Sequence, residues 1–263
     1  MRLKIYADSK EKCFIPFKYQ CRLYDAISKI LSDAATEYAR FLPEASYLDA
    51  TGKLILYNFS KLFPCPRIVT RSGFENVERL TFFVSSPIPE EFEHIFIGIF
   101  NNKVLDMNFP GNTYHFKINK IEIVPEPEIK SSMNFICLSP ITLTRSSSHR
   151  YYLDYTQQAD QKFFIYSIWQ NLIQKYKIIH GKEYQGDPNF HFVFDQSYIE
   201  RRGGNIKKII RFDDSNSCAS HLVIAMEAPF QIKTSPELIK IGYECGFGES
   251  NHAGFGMAEI VKL

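Results

Sequence analysis

Apolar and polar positions alternate at the start of the chain, with Leu3 and Ile5 on one side and Arg2, Lys4 and Tyr6 on the other. A period of two predicts a strand over 2–7 with one buried face. The period then lengthens. Leu23, Ile27, Ile30, Leu31, Ala34 and Tyr38 recur at three-to-four spacing, with Arg22, Asp25, Lys29 and Asp33 between them. This predicts an amphipathic helix from about Tyr19 to Phe41 that ends before Pro43. Strands are expected at 53–59 and at 78–84, where Leu80, Phe82 and Val84 alternate with Arg79, Thr81 and Phe83. Pro89, followed by Glu90 and Glu91, opens a helix to about Phe100, because proline suits the first turn and acids suit the positive end of the dipole. A strand within 117–124 completes the order β-α-β-β-α-β.

Pro125-Glu126-Pro127-Glu128 reads as a linker, since closely spaced prolines forbid continued strand pairing. The same order then recurs. A strand at 133–138 precedes a helix capped by Asp160, carrying Phe164, Ile168, Leu172, Tyr176 and Ile179, with Gly181 at its end. Phe190 to Phe194 forms a strand, and 197–212 is expected to be a hairpin turning at Gly203-Gly204-Asn205. A strand at 222–230, a short helix opened by Ser235-Pro236-Glu237 and a last strand from Phe255 to Val261 follow. The pattern predicts an α+β protein of two tandem ferredoxin-like domains. They occupy 1–124 and 133–263, joined by 125–132, and the second carries the extra hairpin. The halves share element order, with no visible sequence identity.

Composition narrows the function classes. Apolar residues make up 45% of the 263, enough for a real core, and a charged share of 23% excludes a disordered polyelectrolyte. The net charge is 31 − 29 = +2, a balance that can still hide a local basic stripe. There are 23 Phe and 15 Tyr beside a single Trp, which suits a core for the most part and a base-stacking surface for the rest. No apolar run approaches the ~20 residues of a membrane span. The start lacks an apolar signal region, so a cytoplasmic, membrane-independent protein is expected. The six cysteines contain no C-x-x-C pair, which argues for reduced thiols and against a structural zinc site.

Three segments carry candidate chemistry. Gly242, Gly246, Gly248, Gly254 and Gly256 are five of the 13 glycines and fall within 15 residues. Such a loop can cradle phosphates on its amides, or it can simply be a tight loop and bulge. It leads into a strand and lacks a following Gly-Lys-Ser/Thr, so it is neither a Walker A loop nor a dinucleotide fingerprint. Arg201, Arg202, Lys207, Lys208 and Arg211 place five cations and no acid in 11 residues, which suits an anionic partner or a charge-protected sheet edge. Lys10, Lys12, Lys18 and Arg22, interleaved with Tyr19 and Tyr24, suit phosphates and unstacked bases. His94, in an apolar helix, reads as structural. His149 lies in a basic loop, His191 alternates with Phe190 and Phe192, and His252 sits within the glycine-rich loop.

The doubled fold and the C-terminal run Gly246-Phe-Gly-Glu-Ser-Asn-His-Ala-Gly-Phe-Gly-Met-Ala-Glu-Ile-Val261 resemble the repeat-processing CRISPR endoribonucleases of the RAMP superfamily. Ile15 to Gln20 before the first helix and Leu138 to Ile141 in the second half strengthen the resemblance, which covers nearly the whole chain. It implies cleavage of CRISPR precursor RNA without metal or other cofactor, through attack of a 2′-hydroxyl on the adjacent phosphorus. Tyr24 matches the family tyrosine and Lys53 the family lysine. The family histidine is absent; Tyr47, which stands near its place, and His252, in the glycine-rich loop, are the reserves for proton transfer. The implied RNA-binding residues are Lys18, Arg22, Arg201, Arg202, Lys207, Lys208, Gly246, Gly248, His252, Gly254 and Gly256. The implied partner is CRISPR repeat RNA or mature crRNA, met by a monomer or homodimer. The missing histidine leaves two alternatives: a catalytically impaired repeat-RNA binder, and a RAMP subunit assembled with other CRISPR effector subunits.

Overall fold

The computed structural model describes residues 1–41, 56–145, 151–213 and 220–261. It divides into two compact units, Met1–Glu126 and Pro127–Leu263. The first contains β1 (Arg2–Pro16), α1 (Gln20–Phe41), β2 (Asn58–Phe59), β3 (Phe63–Cys65), β4 (Ile68–Val69) and β5 (Gly73–Ser85). A 3-10 turn at Glu90–Phe92 leads into α2 (Glu93–Phe100), followed by β6 (Val104–Phe109) and β7 (Asn112–Ile123). The second contains β8 (Ser132–Cys137), α3 (Gln158–His180), β9 (His191–Phe194), α4 (Gln196–Arg201), β10 (Lys207–Asp213) and β11 (Ser220–Met226). β12 (Phe230–Lys233), α5 (Pro236–Cys245), a 3-10 turn at Asn251–Ala253 and β13 (Ala258–Ile260) complete it.

Both main sheets are antiparallel and follow one plan. The first runs β2-β5-β1-β7-β6 and the second β13-β8-β12-β9. Setting aside β6, each lays its fourth strand beside its first, then its third, then its second. That is the ferredoxin-like order which the repeated β-α-β-β-α-β pattern requires. Among the described residues no helix is long and apolar enough to cross a membrane.

Burial follows the alternation. Leu3, Ile5 and Ala7 of β1 and Leu80, Phe82 and Val84 of β5 are fully buried, as are Leu23, Ile27, Ile30 and Leu31 of α1, which packs against β6 and α2. In the second unit Phe135, Phe192, Phe194, Phe230 and Phe247 form one aromatic cluster, with centroids of Phe135–Phe230 at 5.2 Å and Phe192–Phe230 at 5.0 Å. Each such ring contributes roughly 1.5–3 kcal/mol by leaving water. Much of the phenylalanine content is therefore core.

Several expectations change. β6 is an additional edge strand, formed because Leu105 and Met107 turn back onto the core while their neighbours face outward. The strand expected at 53–59 appears as Asn58–Phe59 only, since 42–55 lie outside the described residues. Asp160 is not the cap of α3. The cap position is Gln157, and the Asp160 carboxylate accepts the Asp154 amide at 3.1 Å instead. The strand expected at 222–230 is two strands in different sheets, broken around Pro229. The hairpin expected at 197–212 does not turn at Gly203. Asp195 accepts the Tyr198 amide at 2.9 Å and starts α4, and Gly203 and Gly204, at φ 60° and 79°, end that helix. The ribbon is instead β10 with β11.

Candidate nucleic-acid interface

The glycine-rich loop follows α5 and is built around a buried cation. Lys175, six per cent exposed on the inner side of α3, donates from Nζ to Gly246 O at 2.7 Å, Gly248 O at 3.0 Å and Asn251 Oδ1 at 2.7 Å. Asn251 in turn donates to Phe255 O at 2.9 Å and to Phe247 O at 3.4 Å. Burial pushes the Lys175 ammonium down to about 8, opposed by the nearby Cys245 and Glu249, so it remains mostly charged at neutral pH. Burial also lifts the Cys245 thiol to about 12, despite the adjacent Lys175. Glu249 ties the loop to the segment between β8 and α3, accepting from Thr144 Oγ1 at 2.8 Å and from the Thr144 amide at 3.2 Å.

The glycines serve close approach. A Cβ on Gly256 would lie 2.0 Å from Phe247 O, and one on Gly248 2.6 Å from Thr142 O; both residues also have positive φ. The amides of Gly246, Phe247, Glu249, Gly254 and Gly256 donate to carbonyls within the protein. These five are directed inward and brace the loop as a tight turn, the second of the two alternatives for it. Its exposed tip carries Ser250 and His252.

The five cations of 201–211 do not form one stripe. Arg201 and Arg202 are exposed at the end of α4, with the Arg202 guanidinium 5.9 Å from the Tyr198 ring centre. Lys207 binds Asp154 Oδ2 at 2.9 Å. Burial raises the Asp154 carboxyl, but hydrogen bonds from Thr156 and Lys207 outweigh it and hold the group below its ordinary value. Lys207 and Lys208 are successive strand residues, so they project to opposite faces of the β10–β11 ribbon. Arg211 is exposed on the Lys207 side.

On the first unit Lys18 is exposed just before α1, and Arg22 lies 3.5 Å from Asp25. Tyr24 is half-buried one turn before Ser28, whose hydroxyl is 3.4 Å from the Tyr57 hydroxyl. Burial pushes the Tyr57 phenol up to about 12; Ser28 opposes this and Tyr24 adds to it. Tyr57 is thus a hydrogen-bonding post rather than a base. Tyr47 and Lys53 lie outside the described residues. His94 and His191 are exposed, and His149 is outside the described residues. No group of three His, Cys, Asp or Glu side chains that could hold a metal occurs among the described residues.

Sequence reading missed Lys175, Asn251 and Tyr57. Lys175 had a signal: it falls three residues after Leu172 on the apolar stripe of α3, where a cation needs a buried partner. Tyr57 had a weaker one in the Tyr24/Ser28 spacing of four on α1.

Over its whole length the chain is 27% identical to CRISPR-associated endoribonuclease Cas6 1 of Methanocaldococcus jannaschii, covering 93% of that protein. It is 25% identical to the CRISPR-associated endoribonuclease Cas6 of Pyrococcus furiosus, with 98% of this chain and 88% of that protein covered. A solved structure described as CRISPR associated protein Cas6 superposes with a TM-score of 0.74 at 24% identity, covering 100% of this chain and 99% of the other. One described as a RAMP protein binding different RNA substrates gives 0.72 at 19% identity, with both chains fully covered. The family model for the C-terminal part of CRISPR associated protein Cas6 matches residues 124–260, more than half of the sequence and all of the braced glycine loop, and the chain belongs to the Cas6 family.

Proposed function

We propose that the protein binds CRISPR repeat RNA and cleaves precursor CRISPR RNA by metal-independent transesterification. The observation that carries this is the likeness to the Methanocaldococcus jannaschii endoribonuclease across the entire chain. The 2′-oxygen bonds to the adjacent phosphorus, the bond to the 5′-oxygen breaks, and a proton moves from the 2′-hydroxyl to the departing oxygen through solvent or a side chain. The products are a 2′,3′-cyclic phosphate and a 5′-hydroxyl. In this scheme Lys53 stabilises charge on the scissile phosphate, Tyr24 orients the attacking hydroxyl, and Tyr47 is the reserve for proton transfer. A tyrosine of ordinary pKa, about 10, is ionised in only about one molecule in a thousand at neutral pH. Catalysis therefore rests on positioning and electrostatics, and lack of a good base slows it by about 10²–10⁴-fold.

RNA phosphates meet Lys18, Arg22, Arg201, Arg202 and Lys208. His252 at the loop tip meets the strand, while Gly246, Gly248, Gly254 and Gly256 act through the loop's shape. Lys207 contributes less, because Asp154 already neutralises it.

Single-turnover assays on repeat RNA in EDTA, with a 2′-deoxy control at the scissile nucleotide, test the scheme. The expected outcome is a cyclic-phosphate product from the ribose substrate and none from the deoxy control. Lys53→Ala should slow cleavage at least 10-fold with RNA affinity retained, and Tyr24→Phe should slow it less. Tight binding of repeat RNA without cleavage would make the protein a non-catalytic binder.

A further inference from the structure

The mechanism above leaves one face of the first unit's sheet without a role. Opposite the buried side of β1 and β5, the cross-strand register lays out three rows: Phe83–Lys4–Glu122, Phe63–Thr81–Tyr6–Lys120 and Cys65–Arg79–Asp8–Lys117. The two carboxylates are already matched, Asp8 to Arg79 at 2.8 Å and Glu122 to Lys120 at 2.6 Å. Lys4 and Lys117 are the surplus positive charge of these rows, and Arg67, which lines one hollow with Lys4, donates to Pro64 O at 3.1 Å and adds a further cation.

Those cations are interleaved with rings. Phe63 and Phe83 meet edge to face with centroids 6.1 Å apart, and Phe63 is 36% exposed. Lys4 Nζ lies 5.1 Å from the Tyr6 ring centre and 5.9 Å from that of Phe83. Phe63, Phe83, Pro64, Thr81, Lys4 and Arg67 line an open hollow of about 520 Å³. That is within the ≈ 300–1,000 Å³ range of small-molecule sites. Exposed ring faces beside unmatched cations fit a ligand with both a π-face and a phosphate, and an unpaired nucleotide has both. A purely apolar partner would leave the cations unanswered, and a partner strand would add at a sheet edge rather than on its face.

We infer that this open sheet face is a stacking subsite for one or two unpaired nucleotides of the RNA, held by Phe63 and Phe83 with Lys4 and Arg67 on the phosphates. The inference rests on the RNA-processing function proposed above and adds a recognition site to it. α1, which carries Tyr24, packs on the other side of the sheet, so the nucleotides held here flank the cleaved position and do not include it.

The experiment scans a single abasic nucleotide along the repeat RNA and measures affinity for the full-length protein, Phe63→Ala, Phe63→Leu and Phe63→Tyr. Stacking on one ring corresponds to about 5- to 150-fold in affinity. Phe63→Ala and Phe63→Leu should both lose affinity to that extent, and Phe63→Tyr should keep it. Leucine retains the packing without the aromatic face, so a shared loss at unchanged melting temperature is a loss of stacking. In the parent, an abasic site at one or two positions outside the cleaved dinucleotide should weaken binding. In Phe63→Ala the same positions should be silent, as expected for two changes removing one interaction. If the parent cleaves repeat RNA and Phe63→Ala binds every RNA as tightly as the parent, the sheet face is not a subsite and the nuclease assignment stands. If the parent neither binds nor cleaves repeat RNA, both fall.

Discussion

Lys175 shows how one side chain can organise a loop that it does not belong to. Its ammonium donates to three oxygens of the loop, and Asn251 passes that order on to Phe247 and Phe255. Lys175→Met keeps the length and removes the donor. Each acceptor left unpaired in the interior costs about 1–3 kcal/mol, so the second unit should lose at least ~2 kcal/mol by chemical denaturation. Asp154 gives a pH signature of opposite origin. Its folded-state pKa is depressed, so the folded protein binds the proton less tightly than the unfolded chain. The resulting stability is present above the unfolded value of about 3.9 and is lost as pH falls through the folded value. Denaturation midpoints measured from pH 6 down to pH 2.5 should fall steeply below about pH 4. That fall should be shallower in Asp154→Asn, which should also be the less stable protein at pH 6.

At the scale of elements, α4 and β10 divide a single run of charge into parts with different duties. Arg201 and Arg202 stand exposed at a helix end, whereas Lys207 is tied to Asp154 across the second unit. Replacing both arginines by alanine should weaken RNA binding about 10-fold or more at low salt and leave the melting temperature nearly unchanged. Lys207→Ala should do the reverse, lowering stability by about 1–3 kcal/mol, because Asp154 is then left buried with Thr156 as its remaining donor. Equal effects of the two changes on RNA affinity would mean that Lys207 leaves Asp154 for phosphate when RNA binds. Gly203 and Gly204 decide this geography. By ending α4 they turn the chain before the lysines, so the arginines and lysines never face each other across a hairpin.

The whole molecule carries a net charge of only +2, so long-range attraction to RNA is weak and affinity must come from local cations. With the proposed phosphate contacts at Lys18, Arg22, Arg201, Arg202 and Lys208, five counterions are displaced from a single strand. The slope of log affinity against log salt should then be about −3.5. Removing the two arginines should flatten it by about 1.4. A slope near zero in the parent would mean that stacking, rather than phosphate contact, holds the RNA.

Much of the fold was legible because its cause is local. Alternation of Leu80, Phe82 and Val84 with Arg79, Thr81 and Phe83 specifies a half-buried strand wherever it lies in space, and the stripe of Leu23, Ile27, Ile30 and Leu31 specifies a helix with one buried side. Two successive sets of such elements allow few arrangements, and the ferredoxin-like order is one of them. The glycine-rich run was visible too, as a place where backbone must pass close to backbone. Its purpose was not visible. Whether a loop amide faces an anion or another carbonyl depends on what packs beneath it, and here that is Lys175, 71 residues before the first carbonyl it binds. The same distance in sequence hid the pairing of Lys207 with Asp154 and the assembly of Phe63, Phe83 and Lys4 on one sheet face. Periodicity determined which residues form each element and which side is buried. Partners that meet only after strands from distant parts of the chain come into register were decided by the tertiary structure, because a hydrogen bond or an ion pair depends on distance in space and leaves no period in the sequence.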